Sequence, residues 1–452
     1  MSHFLNPSLK LFGYFCLFII FNINAAFSNS AEMKLPIKIV PILTKNQAWL
    51  IEDPSTPLVF IEMTFTKTGS SYMPIGKEGL STLFSNLFLK ARNGGNHHEF
   101  IAAMDELKLK VNTHVSHDDL SFSFSFPKEN NDKVIPLIKT LFNNTVFSEE
   151  DVNKNKHGGY TNFAYSNPAY VAQRALHMKV FQGHPYGQNP DGDSQSIQML
   201  RADDIKIFPK AFLAKENLKI SFLGSLNEKE TQDYANQILE TLPDEKLIKT
   251  DDIPYLEPKP VKDLTQIYQD VPQSSIAFIY PMPKYETLDY YYATIANVSL
   301  GLTQESKLWR AARVKKGLVY GISTDIEQWP ASTYLYGSAS TQSTQTQQII
   351  DIVRQKLSNL KTKGISEKDL SFAQNHLTGK IATALIEPRQ IINLIHYAQT
   401  WNKDINFLQK YVDVIRSVKL EDLNKFIQNW IDPQNLSFAI VGKNAGCEIP
   451  QE

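Results

Sequence analysis

The sequence predicts an α+β protein of two similar domains, each a mainly antiparallel sheet with helices packed on one face. Three observations carry this. Strand-like and helix-like segments are mixed irregularly along the chain. Two stretches far apart share one pattern at one offset. A proline-rich, charged joint lies between them.

The shared pattern can be compared without gaps. "ADDIKIFPKAFLAKENLKISFLG" ends at Gly224, and "LEDLNKFIQNWIDPQNLSFAIVG" ends at Gly442. Asp204 matches Asp422, Phe208 matches Phe426, Phe212 matches Trp430 and Asn217 matches Asn435, each pair 218 residues apart. "FSEEDV" at 147–152 matches "ISEKDL" at 365–370 with the same spacing. Two matches at one offset indicate duplication, and two copies of a long period mean two domains, not a solenoid.

In chain order, Lys10 precedes "LFGYFCLFIIFNI", an apolar run too short to span a membrane. Small residues follow, so 1–31 reads as a signal peptide cleaved within 25–31, with an uncleaved anchor as the alternative. The expected location is exported and periplasmic, with no stable membrane span after cleavage. The first domain is expected over 32–242. It contains the helix "KEGLSTLFSNLFLKAR" at 77–92, whose apolar face is Leu80, Leu83, Phe84, Leu87 and Phe88. Thr82, Ser85 and Asn86 form a small neutral group beside that face. "LSFSFSF" at 120–126 alternates as a half-buried antiparallel strand does. Ser148 and Ser366 are placed to open helices as capping boxes. "PDEKLIKTDDIPYLEPKPVK" at 243–262 has linker composition, and the second domain is expected over 263–452. Each copy ends in an apolar strand, "LKISFLG" or "LSFAIVG".

The 452 residues carry 46 Lys and Arg against 47 Asp and Glu, so no basic field exists to hold nucleic acid. Of the two cysteines, Cys16 lies in the leader and Cys447 stands alone, so the mature chain makes no internal disulfide.

The order of these pieces resembles the insulinase/pitrilysin family of zinc metallopeptidases, which includes the mitochondrial processing peptidase. The resemblance covers about 37–442 and rests on "TGSSYMPIGKEGLSTLFSNLF", "HPYGQNPDGD" at 184–193, "RVKKGLVYG" at 313–321 and the two domain ends. Active members carry H-x-x-E-H on the helix after Gly-Leu, two His for zinc and a Glu to activate water. Here Thr82, Ser85 and Asn86 stand at those positions. The family's third ligand is a Glu further on. The resemblance aligns it with Tyr160, and the chain has no Glu from 151 to 215. The resemblance thus implies a degenerate metal site and no zinc bound by this chain.

The resemblance also implies a retained element. An Arg and a Tyr around K-G-L-x-Y correspond to Arg313 and Tyr320. In the family they face the catalytic helix of the other half or subunit, where both can donate to a scissile carbonyl. Read without the family, Arg313 could cap or salt-bridge a helix and Tyr320 could simply pack. Asn112 matches a family strand that holds peptide in extended form. Among other histidines, His114 and His117 flank a polar strand, His97 and His98 sit in a Gly/Asn-rich loop, and all four read more readily as surface or turn residues than as a relocated metal site.

Loss in one half and retention in the other imply a non-catalytic, substrate-binding subunit of an exported heterodimeric zinc peptidase. The implied partner is a homologous chain with intact H-x-x-E-H that holds the zinc. This chain alone is expected to be inactive. The alternatives are a structural or peptide-binding family member without a peptidase role, or a hydrolase using unrecognised residues.

Overall fold

The computed structural model describes residues 34–43, 47–89, 97–143, 148–157 and 166–443. The expected leader, 1–31, lies outside them. The first half runs β1 (Lys38–Pro41), β2 (Gln47–Glu52), β3 (Leu58–Phe65), α1 (Leu80–Leu87), α2 (His97–Glu106), β4 (Lys110–Val115), β5 (Leu120–Pro127), α3 (Asn131–Asn143), α4 (Glu149–His157), α5 (Pro168–Val180), α6 (Ser194–Met199), α7 (Ala202–Phe212), β6 (Leu218–Gly224) and α8 (Glu228–Leu239). The second half runs β7 (Thr265–Tyr268), β8 (Ser274–Pro281), α9 (Leu288–Asn297), β9 (Val319–Trp329), β10 (Ser332–Thr341), α10 (Thr346–Lys363), α11 (Glu367–Ala384), α12 (Pro388–Thr400), α13 (Phe407–Ser417), α14 (Leu420–Trp430) and β11 (Ser437–Gly442). A helical turn at Lys307–Trp309 continues into a π-helix, Arg310–Lys315.

The strands form two sheets, β1-β2-β6-β3-β5-β4 and β7-β11-β8-β10-β9. Without β1, the first order maps onto the second strand for strand. In both, the copy's last strand pairs in parallel with its first, β6 with β2 and β11 with β7, and every other pairing is antiparallel. The shared topology is the duplication seen at the 218-residue offset. Ser366 caps α11 in a capping box with Asp369, and Ser148 Oγ accepts from Asp151 N at the start of α4. His97 and His98 begin α2 rather than lying in a loop.

Each sheet packs its own helices on one face. In the first half Phe65, Phe84, Phe88, Phe122, Phe142 and Phe208 meet in one core. In the second, Phe278, Ile349, Val353, Ile427 and Phe438 do the same. The opposite faces are covered by an exchange. Helix α5, from the first half, lies on β8 and β11 of the second sheet. Its Ala172 and Leu176 are buried against Ala277, Ile279, Ala439 and Val441. Helix α12, from the second half, lies on β2, β3 and β6 of the first. Its Ile392, Ile395 and Ala398 are buried against Trp49, Ile51, Phe60 and Leu223. The central strands are therefore buried on both faces, which is why β8 and β11 read as nearly continuous apolar runs rather than alternating ones.

Polar side chains lock the exchange. Arg389 of α12 pairs with the buried Glu62 at 2.5 Å. His396 bridges Thr64 at 2.7 Å and Ser221 at 3.0 Å, and Gln399 donates to the Gln47 carbonyl at 2.7 Å. Burial pushes the His396 imidazole down to about 3, with Lys219 adding to the effect. The joint 243–262 contains no helix or strand, yet it is tied to both halves. Leu247 N and Ile248 N donate to the carbonyls of Lys210 and Ala211, and Leu256 N donates to Ala331 O at 2.8 Å.

The exchange makes the two halves one thermodynamic unit. Ile395→Ala should lower stability by about 2–5 kcal/mol and shift a single melting transition rather than split it. Cleavage at a protease site engineered between Asp251 and Asp252 should leave two fragments that co-elute under native conditions. Fragments that separate without denaturant would show that the crossing helices do not hold the halves together.

Candidate functional site

Helix α1 begins at Gly79, whose φ of +86° suits glycine. A Cβ there would lie 2.6 Å from the Asp191 carbonyl oxygen, and one at Gly192 would lie 2.5 Å from the Glu78 carbonyl oxygen. Two glycines thus let the turn before α1 and the loop 184–193 press together. This explains why "KEGL" and "HPYGQNPDGD" carry them.

Of the three residues that the resemblance aligns with the family's metal site, two are engaged in this packing. Thr82 Oγ1 donates to the Pro190 carbonyl at 2.7 Å, fastening α1 to the loop. Ser85 is buried, and its hydroxyl donates to Thr113 Oγ1 at 2.8 Å, fastening α1 to β4. Asn86 is exposed. Two hydroxyls and an amide do not fit a zinc ion that takes imidazole, thiolate or carboxylate ligands, and Ser85 is no general base near neutral pH. Tyr160 lies outside the described residues. Among the described residues no three His, Cys, Asp or Glu side chains gather into a metal site.

Asn112 is exposed on β4, the edge strand of the first sheet, next to the Thr113 that binds Ser85. The structure thus joins Thr82, Ser85 and Asn112 in one region. Arg313 and Tyr320 adjoin each other in the second half. The π-helix and the turn after it bring the Arg313 guanidinium to 6.0 Å from the Tyr320 ring centroid. Arg313 Nη1 donates to the Val319 carbonyl at 2.9 Å, one of five donors, so part of its role is local. Tyr320 is the second residue of β9 and is 66 % exposed.

A cluster that the sequence did not reveal lies between the halves. His117, in the turn after β4, is a member of it. Its Nδ1 lies 3.0 Å from Ser71 Oγ, and its ring lies 4.2 Å from that of Trp329. His177 Nε2 lies 2.9 Å from the Tyr334 hydroxyl. Tyr186 donates to Asp118 at 2.8 Å and accepts from Ala331 N at 3.0 Å. His117 and Tyr186 fall in segments already singled out, but Trp329 and Tyr334 are more than 140 residues from Tyr186, and no local pattern joins them. Burial pushes His117 down to about 4 and His177 to about 3, with the Arg174 charge acting in the same direction. Burial pushes Asp118 up to about 6 and Asp119 to about 7, the latter with help from Asp118.

Residues 48–191 match the model for Insulinase (Peptidase family M16), and 200–377 match that for Peptidase M16 inactive domain. The Helicobacter pylori protein "Non-peptidase homolog YmxG" is 25 % identical over 393 residues, spanning 85 % of this chain and 89 % of that one. A crystal structure of a peptidase M16 inactive domain from Pseudomonas fluorescens superposes with a TM-score of 0.81 at 18 % identity, covering 92 % of this chain and 100 % of that one. A protease from Helicobacter pylori gives a TM-score of 0.76 at 18 % identity, covering 90 % and 100 %. These two likenesses are of fold.

Two outcomes are expected. After dialysis the purified chain should hold well under one zinc per molecule by mass spectrometry. A Thr82→His, Ser85→Glu, Asn86→His variant should still bind none tightly, and should melt lower because the Pro190 and Thr113 links are lost. Retention of one zinc by either protein would contradict this reading of α1. The second outcome concerns pH. A carboxyl whose folded value is raised from about 3.9 opposes folding once it must ionise, so stability falls as pH rises toward and through 7. Asp119→Asn keeps the acceptor for Lys67 N and should stabilise by about 1–3 kcal/mol at pH 8, with little effect at pH 4. His117 and His177 act oppositely. Their contribution is complete above about 6.5 and lost as pH falls toward 4 and 3. Equal shifts for Asp119→Asn at both pH values would show that its charge is not the cause.

Proposed function

Because the chain belongs to the insulinase family, peptidase M16, as an inactive homologue, we propose that it is the substrate-binding, non-catalytic subunit of an exported two-chain zinc peptidase. The partner is a homologous chain with an intact H-x-x-E-H that supplies the zinc. One contrast carries the reading. Thr82 and Ser85 on α1 serve as internal links, whereas Arg313 and Tyr320 are exposed and adjoin each other as a donor pair. The name of the Helicobacter relative, a non-peptidase homolog, agrees with a chain that does not cleave alone.

In this reading the edge of β4 around Asn112 takes an extended peptide by backbone hydrogen bonding. Arg313 and Tyr320 reach the partner's active site. There a guanidinium and a phenol donate to the carbonyl oxygen as it gains negative charge, which lowers the barrier only if the donors are already in place. The leader 1–31 sends the chain out of the cytoplasm, to the periplasm, and is removed.

The test is reconstitution with the zinc-bearing homologue from the same genome, followed by cleavage of a quenched fluorescent peptide. Tyr320→Phe should leave assembly unchanged and lower kcat by about a hundred-fold. Arg313→Ala should lower it further, and Arg313→Lys should not restore it, because an ammonium lacks the planar fork. Intact complexes with normal turnover in all three variants would mean that this half supplies scaffold and not chemistry.

A further inference from the structure

A cleft of about 380 Å³ opens where α5 crosses between the halves. Its floor is the end of β4 and the turn after it, with His114 and His117. One wall is α5, with Tyr170, Arg174 and His177, and the other is Trp329 at the end of β9. The degenerate metal positions and the Arg313–Tyr320 pair do not line it.

The walls are aromatic. The Trp329 ring centroid lies 4.2 Å from that of His117 and 5.2 Å from that of His177. Arg174 is the one Lys or Arg among the lining residues, and none of them is Asp or Glu. It is half-buried and donates from Nη1 to the Asn189 side-chain oxygen, while Nη2 lies 4.0 Å from the Met178 sulfur. Among the described residues no carboxylate forms an ion pair with it. The adjacent carboxylates make their hydrogen bonds elsewhere, though Asp193 feels the Arg174 charge. Asp191 accepts from the Tyr170 hydroxyl, and Asp193 caps α6 through the backbone of Gln195 and Ser196. Among the described residues Arg174 thus has no ion pair of its own, although it adjoins the Tyr170 hydroxyl and its charge is felt at Asp193, and its planar fork matches a carboxylate.

We propose that this cleft binds a carboxylate of an extended peptide, from an acidic side chain or the chain terminus, on the Arg174 fork. The adjoining carbon skeleton packs on Trp329 and His117. The proposal rests on β4 being the peptide-holding edge, since the cleft continues the line of that strand beyond Val115. Burial keeps His117 and His177 uncharged near neutral pH, so among these enclosed groups the selection for negative charge falls to Arg174.

The experiment measures fluorescence anisotropy of a labelled peptide of about twelve residues, long enough to cover the strand. The peptide is rich in Thr, Val and Gln and carries one central Glu and a free C-terminus. Three siblings replace Glu by Gln, amidate the C-terminus, or do both. The full chain is compared with Arg174→Gln, which keeps an amide donor for Asn189. Wild type should bind a carboxylate-bearing sibling about ten-fold tighter than the neutral one, and the sibling that keeps the advantage identifies the source. Arg174→Gln should erase the advantage while binding the neutral sibling as wild type does, with an unchanged melting temperature. Arg174→Lys, which serves if the Gln variant does not fold, should keep part of the advantage. Equal affinity of wild type for all four peptides, or an advantage that survives Arg174→Gln, overturns the proposal and leaves the β4 edge reading standing. Failure of every peptide to bind overturns that edge reading, and this proposal with it.

Discussion

The structure depends on burying both faces of two sheets with one helix exchanged in each direction. A sheet whose second face is apolar cannot leave that face in water, and among the described residues neither half covers that face with a helix of its own. Helix α5 covers the second sheet and α12 covers the first. Both helices open with a proline at the first position, Pro168 and Pro388, which fixes where each begins. The exchange sets the spacing of the halves and creates the boundary on which Trp329, His177, His117 and Tyr186 meet. The cleft around Arg174 exists because α5 has left its own half.

Polar side chains on the packed helix α1 must find partners within the fold. Thr82 and Ser85 are short enough to reach the Pro190 carbonyl and the Thr113 hydroxyl, so the helix stays fastened to the loop 184–193 and to β4. Each such link contributes about 1 kcal/mol, modest singly. Together they hold α1 against the edge strand that the proposed function requires.

Much of the fold was legible because its signals are local or repeated. The 218-residue offset gave the duplication, the alternation of "LSFSFSF" gave β5, and Ser148 and Ser366 marked the starts of α4 and α11. The departure at Thr82, Ser85 and Asn86 was visible because the family motif has fixed spacing. The helix exchange was not legible. An apolar stripe on α5 or α12 says that the helix is covered, not by which sheet. The cluster around Trp329 was hidden for a related reason: its members come from β9, β10, α5 and the turns after β4 and α5, and only the tertiary fold joins them. His117 lies in a turn, as expected, but its cover was not legible, because it comes from Trp329, more than 200 residues away.

Inside a two-chain peptidase, this protein would supply a firm edge strand, a carboxylate-selective cleft beside it and a donor pair for the neighbouring chain, while the zinc and the water it activates belong to the partner. Such a division has a stoichiometric signature. The most direct measurement is a titration of the zinc-bearing homologue, at fixed concentration, with this chain while peptide cleavage is followed. The account predicts negligible cleavage by either chain alone and a rise that saturates at one chain of each kind. Full activity of the homologue by itself, unchanged on adding this chain, would contradict it.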